Sequence, residues 1–283
     1  MKLAVSAYSF YQYIGQGKMS IYDTVDKAAE MGFCAIEFLD MPGGSLDEQK
    51  ESAKKLKALA KDAKIDICAY TIGAELFKGD VEADKREVER LKAQAEIASV
   101  LGAKIMRHDV CYNLKKSGKG RSFDLMLPTI AENARIITEY AKGLGVRTCV
   151  ENHGYIAQDS DRLERLFCAV DHDNFGLLVD IGNFVCVDED NATAVSRLAP
   201  YAIHVHAKDM YYSREFKYGW GQTRGCNYFA GAAVGQGDVD VKKCIEILRR
   251  AGYDGYLSVE YEGADDCIVG IEKSRDYLGG ILN

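Results

Sequence analysis

The segment Ile203-His204-Val205-His206-Ala207-Lys208-Asp209 decides the fold, because it joins a buried strand to a charged tip. Its apolar residues alternate with polar ones, which is typical of a β-strand. Two imidazoles, an ammonium group and a carboxylate stand within the six residues from His204 to Asp209. The pattern predicts a strand that delivers chemistry at its C-terminal end.

Three further strand-like segments end in the same way, with a metal-ligand type of residue at the tip: Thr148–Glu151, Leu177–Asp180 and Leu257–Glu260. The apolar residues before each tip must be buried, and an unpaired buried charge is costly. We therefore expect one divalent cation to be bound by four side chains: Glu151, Asp180, His206 and Glu260. Four unrelated ion pairs are the alternative, which is a weaker explanation for four strand ends in a row.

Strands and helices alternate along the whole chain, which indicates a parallel sheet. The predicted strands are Leu3–Phe10, Cys34–Phe38, Asp66–Ile72, Lys104–Arg107, Thr148–Glu151, Phe175–Asp180, Ile203–His206 and Tyr256–Tyr261. The predicted helices are Ser20–Met31, Leu46–Ala63, Glu82–Val100, Phe123–Leu144, Asp159–Val170, Asp190–Leu198, Val239–Ala251 and Asp265–Tyr277. Eight units in 283 residues fit one α/β domain, a single (β/α)8 TIM barrel over residues 1–283. No glycine-rich phosphate loop follows the first strand, so a dinucleotide fold has no support.

An irregular insertion at about residues 210–234 interrupts this alternation after strand seven. It is rich in aromatic and basic residues, among them Tyr211, Tyr212, Arg214, Phe216, Tyr218, Trp220 and Tyr228. Long loops after barrel strands lie at the catalytic face, so we expect the insertion to cover the site or to meet a partner chain. A loop packed on its own aromatic residues is the alternative.

Composition narrows the class of protein. A net charge of −7 without a cluster of Lys and Arg argues against a nucleic-acid surface, and no apolar run has the length of a membrane span. Nine scattered cysteines without a CxxC pair are expected to fill space in the core of a cytoplasmic protein. A small sugar is the expected ligand, and association into a homo-oligomer stays open.

The expected shell of mostly oxygen ligands with one nitrogen suits Mn²⁺ first, with Mg²⁺, Co²⁺ or Zn²⁺ as alternatives. Such a site promotes proton transfer next to a carbonyl, because the cation polarises the ketone and stabilises an enediolate. Glu151 and Glu260 come from strands on either side of the set. We expect one of them to remove the proton and the other to return it.

Other polar residues near the strand ends are candidates for substrate contact or proton transfer. His153 is a candidate acid or base, with a loop histidine as an equal alternative, and His204 is expected to lie in the core or behind the ligands. Expected substrate contacts are Glu37, His108, Asn183, Lys208, Tyr8 and Trp220. For Lys208, a simple ion pair with Asp209 is the favoured alternative.

At this point the chain resembles the sugar phosphate isomerase/epimerase superfamily of xylose-isomerase-like barrels. The shared motifs are Ala35–Phe38, Glu151-Asn152-His153-Gly154, Val179–Asn183, His206–Asp209, Gly235–Asp240 and Ser258–Glu260. The resemblance implies one divalent metal held by the four ligands named above, with Glu151 and Glu260 as the acid/base pair.

The chain departs from the ketose 3-epimerases of that superfamily at three substrate-contact positions. They carry a histidine, a glutamate and an arginine where this chain has Asn183, Ala157 and Tyr212. The first expectation is therefore a metal-dependent isomerase or epimerase of a sugar or sugar phosphate. The second is a lyase or dehydratase acting on a keto-inositol or a 3-oxo-glycoside. A non-catalytic sugar-binding or scaffold subunit is the third.

Overall fold

A computed structural model describes residues 1–282, and eight parallel strands in it close into a barrel. The barrel strands are β1 (Lys2–Ser6), β2 (Ala35–Phe38), β3 (Asp66–Ile72), β4 (Ile105–His108), β5 (Arg147–Glu151), β6 (Phe175–Asp180), β7 (Ala202–Ala207) and β11 (Tyr256–Val259). Their order around the barrel is β1-β11-β7-β6-β5-β4-β3-β2. The remaining strands, β8 (Asp209–Ser213), β9 (Gly221–Gln222) and β10 (Tyr228–Ala232), form a separate antiparallel sheet.

Helices follow the barrel strands and pack on their outer faces. They are α1 (Tyr11–Gly15), α2 (Asp23–Glu30), α3 (Leu46–Ala63), α4 (Val81–Leu101), α5 (Phe123–Gly143), α6 (Ser160–Val170), α7 (Asn191–Leu198), α8 (Val241–Arg250) and α9 (Cys267–Leu282). Several begin at a carboxylate that accepts a backbone N–H of the first turn, as Asp159 does for α6 and Asp190 for α7. Among residues 1–282, no helix is both long enough and apolar enough to cross a membrane.

The predicted fold class, a single (β/α)8 TIM barrel, is confirmed. Three elements, α3, β3 and β6, have the predicted bounds, and the other predicted barrel strands except the first differ by one or two residues at an end. The predicted strand Leu3–Phe10 is wrong beyond Ser6, where the chain turns into a 3-10 helix, Ala7–Phe10. The side chain of Ser6 caps this helix by accepting the backbone N–H of Tyr8.

The insertion is ordered rather than irregular, because it folds into the β8-β10-β9 sheet. Directly paired residues of an antiparallel sheet share a face. Met210 is opposite Gly231 and Tyr212 is opposite Phe229, so these residues share one face, and Tyr211 lies on the other. A bridge between Gly231 and Gly263 holds the sheet against the segment that follows β11. The insertion is therefore attached to the end of the barrel where the strands finish.

Gly231 allows this close approach, since a Cβ atom there would lie 2.5 Å from the carbonyl oxygen of Glu262. We expect Gly231→Ala to push the insertion sheet away from the barrel and to destabilise the protein by about 1–3 kcal/mol. Thermal unfolding and limited proteolysis of the insertion measure this. Gly143→Ala is the matched control, because nothing lies within 4 Å of its added Cβ. Equal stability of the two variants would contradict the tight contact.

Candidate metal centre

The structure brings the four predicted ligands together at one end of the barrel. Glu151 and Asp180 end β5 and β6, His206 lies in β7, and Glu260 follows β11. One ligand atom from each lies within 4.8 Å of the others. The Nδ1 atom of His206 is 3.4 Å from Glu151 Oε1, 3.7 Å from Asp180 Oδ2 and 3.6 Å from Glu260 Oε2. This arrangement places three carboxylates around one imidazole nitrogen.

Two atoms of this cluster test whether a cation fits. Asp180 Oδ2 and His206 Nδ1 are buried without a hydrogen-bond partner among the described residues, although buried polar atoms are normally paired. The other oxygen of Asp180 accepts the backbone N–H groups of Gly182 and Asn183, which fixes the carboxylate. A divalent cation would satisfy both orphan atoms, and oxygen-rich ligand sets suit such ions. The residues present therefore fit a divalent cation.

Glu37 lies beneath His206 and orients it. Its carboxylate oxygens are 2.9 and 3.1 Å from His206 Nε2, and one of them is 2.7 Å from His204 Nε2. A carboxylate only accepts, so Nε2 of His206 carries a proton, and Nδ1 is the nitrogen that would bind a cation at the cluster. Burial opposes ionisation here, but His206 and His204 hold the pKa of Glu37 well below its ordinary value. The side chain is 0% exposed, so Glu37 supports a ligand instead of meeting the predicted substrate hydroxyl.

Lys208 provides a buried positive charge beside the cluster. Its ammonium group is paired with Glu260, lies 3.4 Å from both Asp180 Oδ2 and Glu262 Oε2, and donates to Asn183 Oδ1 at 3.1 Å. Burial favours the neutral amine, but Asp180, Glu260 and Glu262 raise the pKa of Lys208 well above its ordinary value. Lys208 therefore remains charged inside the site.

The alternative pairing of Lys208 with Asp209 is wrong. Neighbouring residues of an extended chain point in opposite directions. Asp209 accordingly turns away from Lys208, and its carboxylate accepts backbone N–H groups of Met210, Gly235, Gly237 and Val239. It holds the two ends of the insertion together and has no part in the cluster.

Arg107 and Asp109, two residues that were not predicted, connect Glu151 to His153. Arg107 Nη2 lies 2.5 Å from Glu151 Oε2 and 2.9 Å from Asp109 Oδ1. The same Asp109 oxygen is 2.9 Å from His153 Nδ1, while the hydroxyl of Tyr112 donates to the other oxygen. Burial opposes the charged imidazole, but the hydrogen bond with Asp109 raises the pKa of His153. The His153 side chain is 43% exposed, which leaves Nε2 available to a ligand.

His108, a predicted substrate contact, does not reach the cluster. The sheet register pairs His108 with Val150 and Arg107 with Cys149. Cys149 shares the inner face with Glu151, so Arg107 points inward and His108 points toward the helices. Its Nδ1 atom contacts the carbonyl oxygen of Asp109, and burial lowers the pKa of His108. The alternation Ile105, Arg107, Asp109 in the sequence was the signal for the inner face.

A cleft of about 370 Å³ opens beside the cluster. His153, Asn183, Lys208 and Glu262 form its polar side. Asn183 donates to Glu151 Oε1 at 3.0 Å and therefore connects Glu151 to Lys208. Glu262 was not predicted, although it follows Glu260 at the spacing of a shared strand face.

Two predicted contact residues lie outside this cleft. Tyr8 stands beside Glu262, and burial together with Glu262 and Glu260 raises its pKa to about 12. Trp220 stacks on Tyr211 with ring centroids 6.1 Å apart. Tyr211 is on the opposite face of the insertion sheet from Met210, which lines the cleft. Trp220 therefore packs on the face of the insertion sheet that lies away from the cleft, and its substrate contact stays a prediction.

We expect Asp180→Asn to abolish cation binding. The amide keeps the size of the side chain and an oxygen for Gly182 and Asn183, but it removes the charge at the orphan position. For the wild-type protein, a cation present at about 100 times its Kd should raise the free energy of unfolding by roughly 2.7 kcal/mol. Thermal unfolding with and without Mn²⁺ measures this. The exposed variant Glu215→Gln should keep the stabilisation, and an equal shift in Asp180→Asn would contradict the site.

Glu37→Gln should weaken cation binding about 10- to 100-fold, because an amide no longer fixes the proton on Nε2 of His206. Isothermal titration with Mn²⁺ gives the affinity. His108→Asn is the control, since His108 is equally buried on the outer face of the same barrel. It should change stability but leave the affinity for Mn²⁺ near that of the unchanged protein. Unaltered affinity in Glu37→Gln would remove the orienting role.

Comparison with known proteins identifies a family and a related protein. Residues 25–279 match the family described as xylose isomerase-like TIM barrel. Inosose dehydratase of Lacticaseibacillus casei is 28% identical over 161 residues, which are 54% of this chain and 54% of that protein. The aligned part of the chain thus spans about half the length of this curated relative.

Two solved structures show the same fold. D-psicose 3-epimerase of Clostridium cellulolyticum H10, solved with D-tagatose, has a TM-score of 0.76, 17% identity and 100% coverage of both chains. A xylose isomerase-like TIM barrel protein of Mycobacterium smegmatis in complex with magnesium has a TM-score of 0.73 and 20% identity over 99% of this chain and 96% of that one. Because the family match covers most of the chain, the protein belongs to the xylose isomerase-like TIM barrel family.

Proposed function

We propose that the protein is a metal-dependent lyase that eliminates water, or another group attached through oxygen, from a cyclic polyhydroxy ketone. The observation that carries the proposal is the hydrogen-bonded pair of Asp109 and His153, which faces the cleft beside the metal cluster. The name of the inosose dehydratase relatives supports the same class of reaction.

The substrate would place its ketone at the four-ligand cluster and its ring in the cleft. Bound at that cluster, a divalent cation would polarise the carbonyl group as a Lewis acid and make the neighbouring C–H bond acidic. Asn183 and Lys208 lie between the cluster and the cleft and offer donors to ring hydroxyl groups. These contacts would fix which C–H bond faces His153.

His153 would then remove the proton. With Nδ1–H directed to Asp109, the lone pair on Nε2 is the free base, and the carboxylate stabilises the imidazolium that forms. Arg107 and Tyr112 hold Asp109 in place. The C–O bond at the next carbon breaks, its electron pair leaves with the oxygen, and that oxygen takes the proton from the His153 imidazolium, so the products are an unsaturated ketone and water. The Lys208 ammonium would donate a hydrogen bond to the departing oxygen.

The ion pairs of the two glutamates favour this scheme over the two-carboxylate one. Glu151 is paired with Arg107 and Glu260 is paired with Lys208. A carboxylate that is paired with a buried Arg or Lys side chain, and that also serves as a metal ligand, is a poor proton acceptor. His153 is neither paired with a positively charged residue nor a ligand, because the only hydrogen-bond partner of its side chain among the described residues is Asp109.

Epimerisation of a ketose is the second candidate, and one observation favours it. Glu151 Oε1 and Glu260 Oε2 approach His206 Nδ1 at 3.4 and 3.6 Å from strands on opposite sides of β7. Two carboxylates placed in this way could serve opposite faces of a substrate carbon. D-psicose 3-epimerase also shares the fold.

His153→Gln should lower kcat/KM for dehydration of an inosose by at least about 100-fold, because the general base is lost. Loss of water is followed by mass spectrometry and by the absorbance of the conjugated ketone. Mn²⁺ affinity should stay unchanged, since His153 is not a ligand. His172→Gln is the matched control, because His172 pairs with Glu139 away from the cluster. Unchanged turnover in His153→Gln would refute the proposed base.

Reaction in D₂O separates the two candidates. A lyase converts the inosose to a product that is lighter by one water. An epimerase returns a ketose of unchanged composition with one deuterium next to the carbonyl. If the unchanged, Mn²⁺-loaded protein deuterates D-tagatose or D-psicose and releases no water from inosose, the lyase proposal fails.

A further inference from the structure

We propose that a groove between the loops after β3 and β4 binds a small molecule that carries two linked phosphate groups. The side chains of Lys78, Lys115 and Lys119 line this groove. Among the described residues, the groove and the cleft beside the metal cluster have no lining residue in common. The inference is therefore independent of the proposed lyase function.

The loop after β4 is strongly basic, in contrast to the chain as a whole. Residues 115–121, with the sequence KKSGKGR, carry four positive charges and no acidic residue, whereas the net charge of the chain is −7. All four charged side chains of this basic loop are exposed. The expected absence of a cluster of Lys and Arg therefore does not hold here. Like charges so close in the chain repel one another, and a bound anion would relieve that repulsion.

Two loops direct three lysines to the same groove, which has a volume of about 550 Å³. Lys78 belongs to the loop after β3, and Lys115 and Lys119 belong to the basic loop. Among residues 1–282, Lys78 pairs with Glu87 at 3.4 Å, but Lys115 and Lys119 form no ion pair. Ammonium groups without an acidic partner favour an anion in the groove that they line.

Two aspartates also line the groove, but backbone N–H groups occupy their carboxylates. Asp80 Oδ1 accepts the N–H of Ala83 at 2.8 Å and caps α4, and Asp84 Oδ1 accepts the N–H of Lys78 at 2.6 Å. These hydrogen bonds fix the loop after β3 and the start of the helix. The lysines of the lining outnumber its aspartates, so the groove is positively charged within an acidic protein.

The backbone of the basic loop holds it in one conformation. The N–H of Lys115 donates to the carbonyl oxygen of Gly120 at 2.7 Å, and Arg121 Nε donates to the carbonyl oxygen of Gly118 at 3.0 Å. A Cβ atom at Gly120 would lie 2.5 Å from Lys115 Cγ and 3.3 Å from Phe77 Cε1. The apolar stem of Lys115 therefore packs on this glycine, which sets the position of its ammonium group. A preformed site binds its ligand at a lower cost of ordering.

Size and charge favour a small phosphate compound over a polymer. The volume of about 550 Å³ lies in the range of small-molecule sites. The negative charge of the whole chain repels a long polyanion, whereas a small anion meets mainly the local lysines, because salt screens charges beyond roughly 10 Å. One phosphate group carries about two negative charges at neutral pH, so two linked groups match three lysines better than one does.

Equilibrium dialysis of the full chain with radiolabelled inorganic pyrophosphate tests the site. EDTA is present, so that pyrophosphate cannot bind through a divalent cation. We expect about one pyrophosphate per chain and an affinity for inorganic phosphate that is about tenfold or more lower. Absence of pyrophosphate binding, or equal affinity for phosphate, would overturn the proposal. Tighter binding of a 20-nucleotide oligothymidylate than of pyrophosphate would overturn the assignment to a small ligand.

A pair of lysine variants separates the groove from the general charge of the loop. Lys119→Gln should weaken pyrophosphate binding about tenfold, because one charged hydrogen-bond donor is lost. Lys116→Gln is the matched control, since Lys116 is exposed in the same loop and does not line the groove. It removes the same charge and should change the affinity less than about twofold. Equal weakening by both variants would refute the groove as the site.

Gly120→Ala tests the geometry without changing any charge. The added Cβ should displace the stem of Lys115 and weaken pyrophosphate binding about fivefold or more. Gly143→Ala should leave the affinity unchanged, because nothing lies within 4 Å of its added Cβ. Thermal unfolding shows whether each variant is folded. Unaltered affinity in a folded Gly120→Ala variant would contradict the preformed position of Lys115, and unaltered affinity in Lys119→Gln would refute the site.

Discussion

The hydrogen bond between Glu37 and Nε2 of His206 is the constraint on which the site depends. It holds the imidazole so that Nδ1 faces three carboxylates that would otherwise repel one another in the barrel interior. Without a cation, the buried side chains of Lys208 and Arg107 balance that negative charge. Burial lowers the pKa of His206, but the surrounding carboxylates outweigh burial and raise it well above its ordinary value. A divalent cation would replace the proton on Nδ1. The same residues thus form a stable cluster in either state.

Barrel closure makes this constraint possible. Glu37 is on β2 and His206 on β7, and β1 and β11 lie between these strands in the closed order. The two side chains meet across the interior, because both point into the closed barrel. Parallel register then places Asp180 and Ser258 at the level of His206, so Glu260 emerges just above it. The ligands converge because eight strands end at one rim.

The period-two pattern was enough to predict the barrel and to place the four strand ends together, since both follow from local sequence. The pattern failed where a shift of one residue decides whether a side chain lies on the inner or the outer face of a strand. The predicted strand four ends at Arg107, so His108 was the predicted contact, although Arg107 and Asp109 are the residues that point inward. It also failed where distant segments meet. The partner of Glu37 depends on closure of the barrel, and the stacking of Trp220 on Tyr211 depends on the fold of the insertion.

Departures from the ketose 3-epimerase pattern gain a physical meaning from these contacts. Asn183 stands where those enzymes carry a histidine, and its amide bridges Glu151 Oε1 and the ammonium of Lys208. Glu151 is thus held by an amide donor and by Arg107, which suits a ligand better than a base. His153 lines the cleft beside the cluster, and its Nδ1 atom is hydrogen-bonded to Asp109. In the proposed elimination, the charge partners of the two glutamates therefore leave the transfer of the proton to His153.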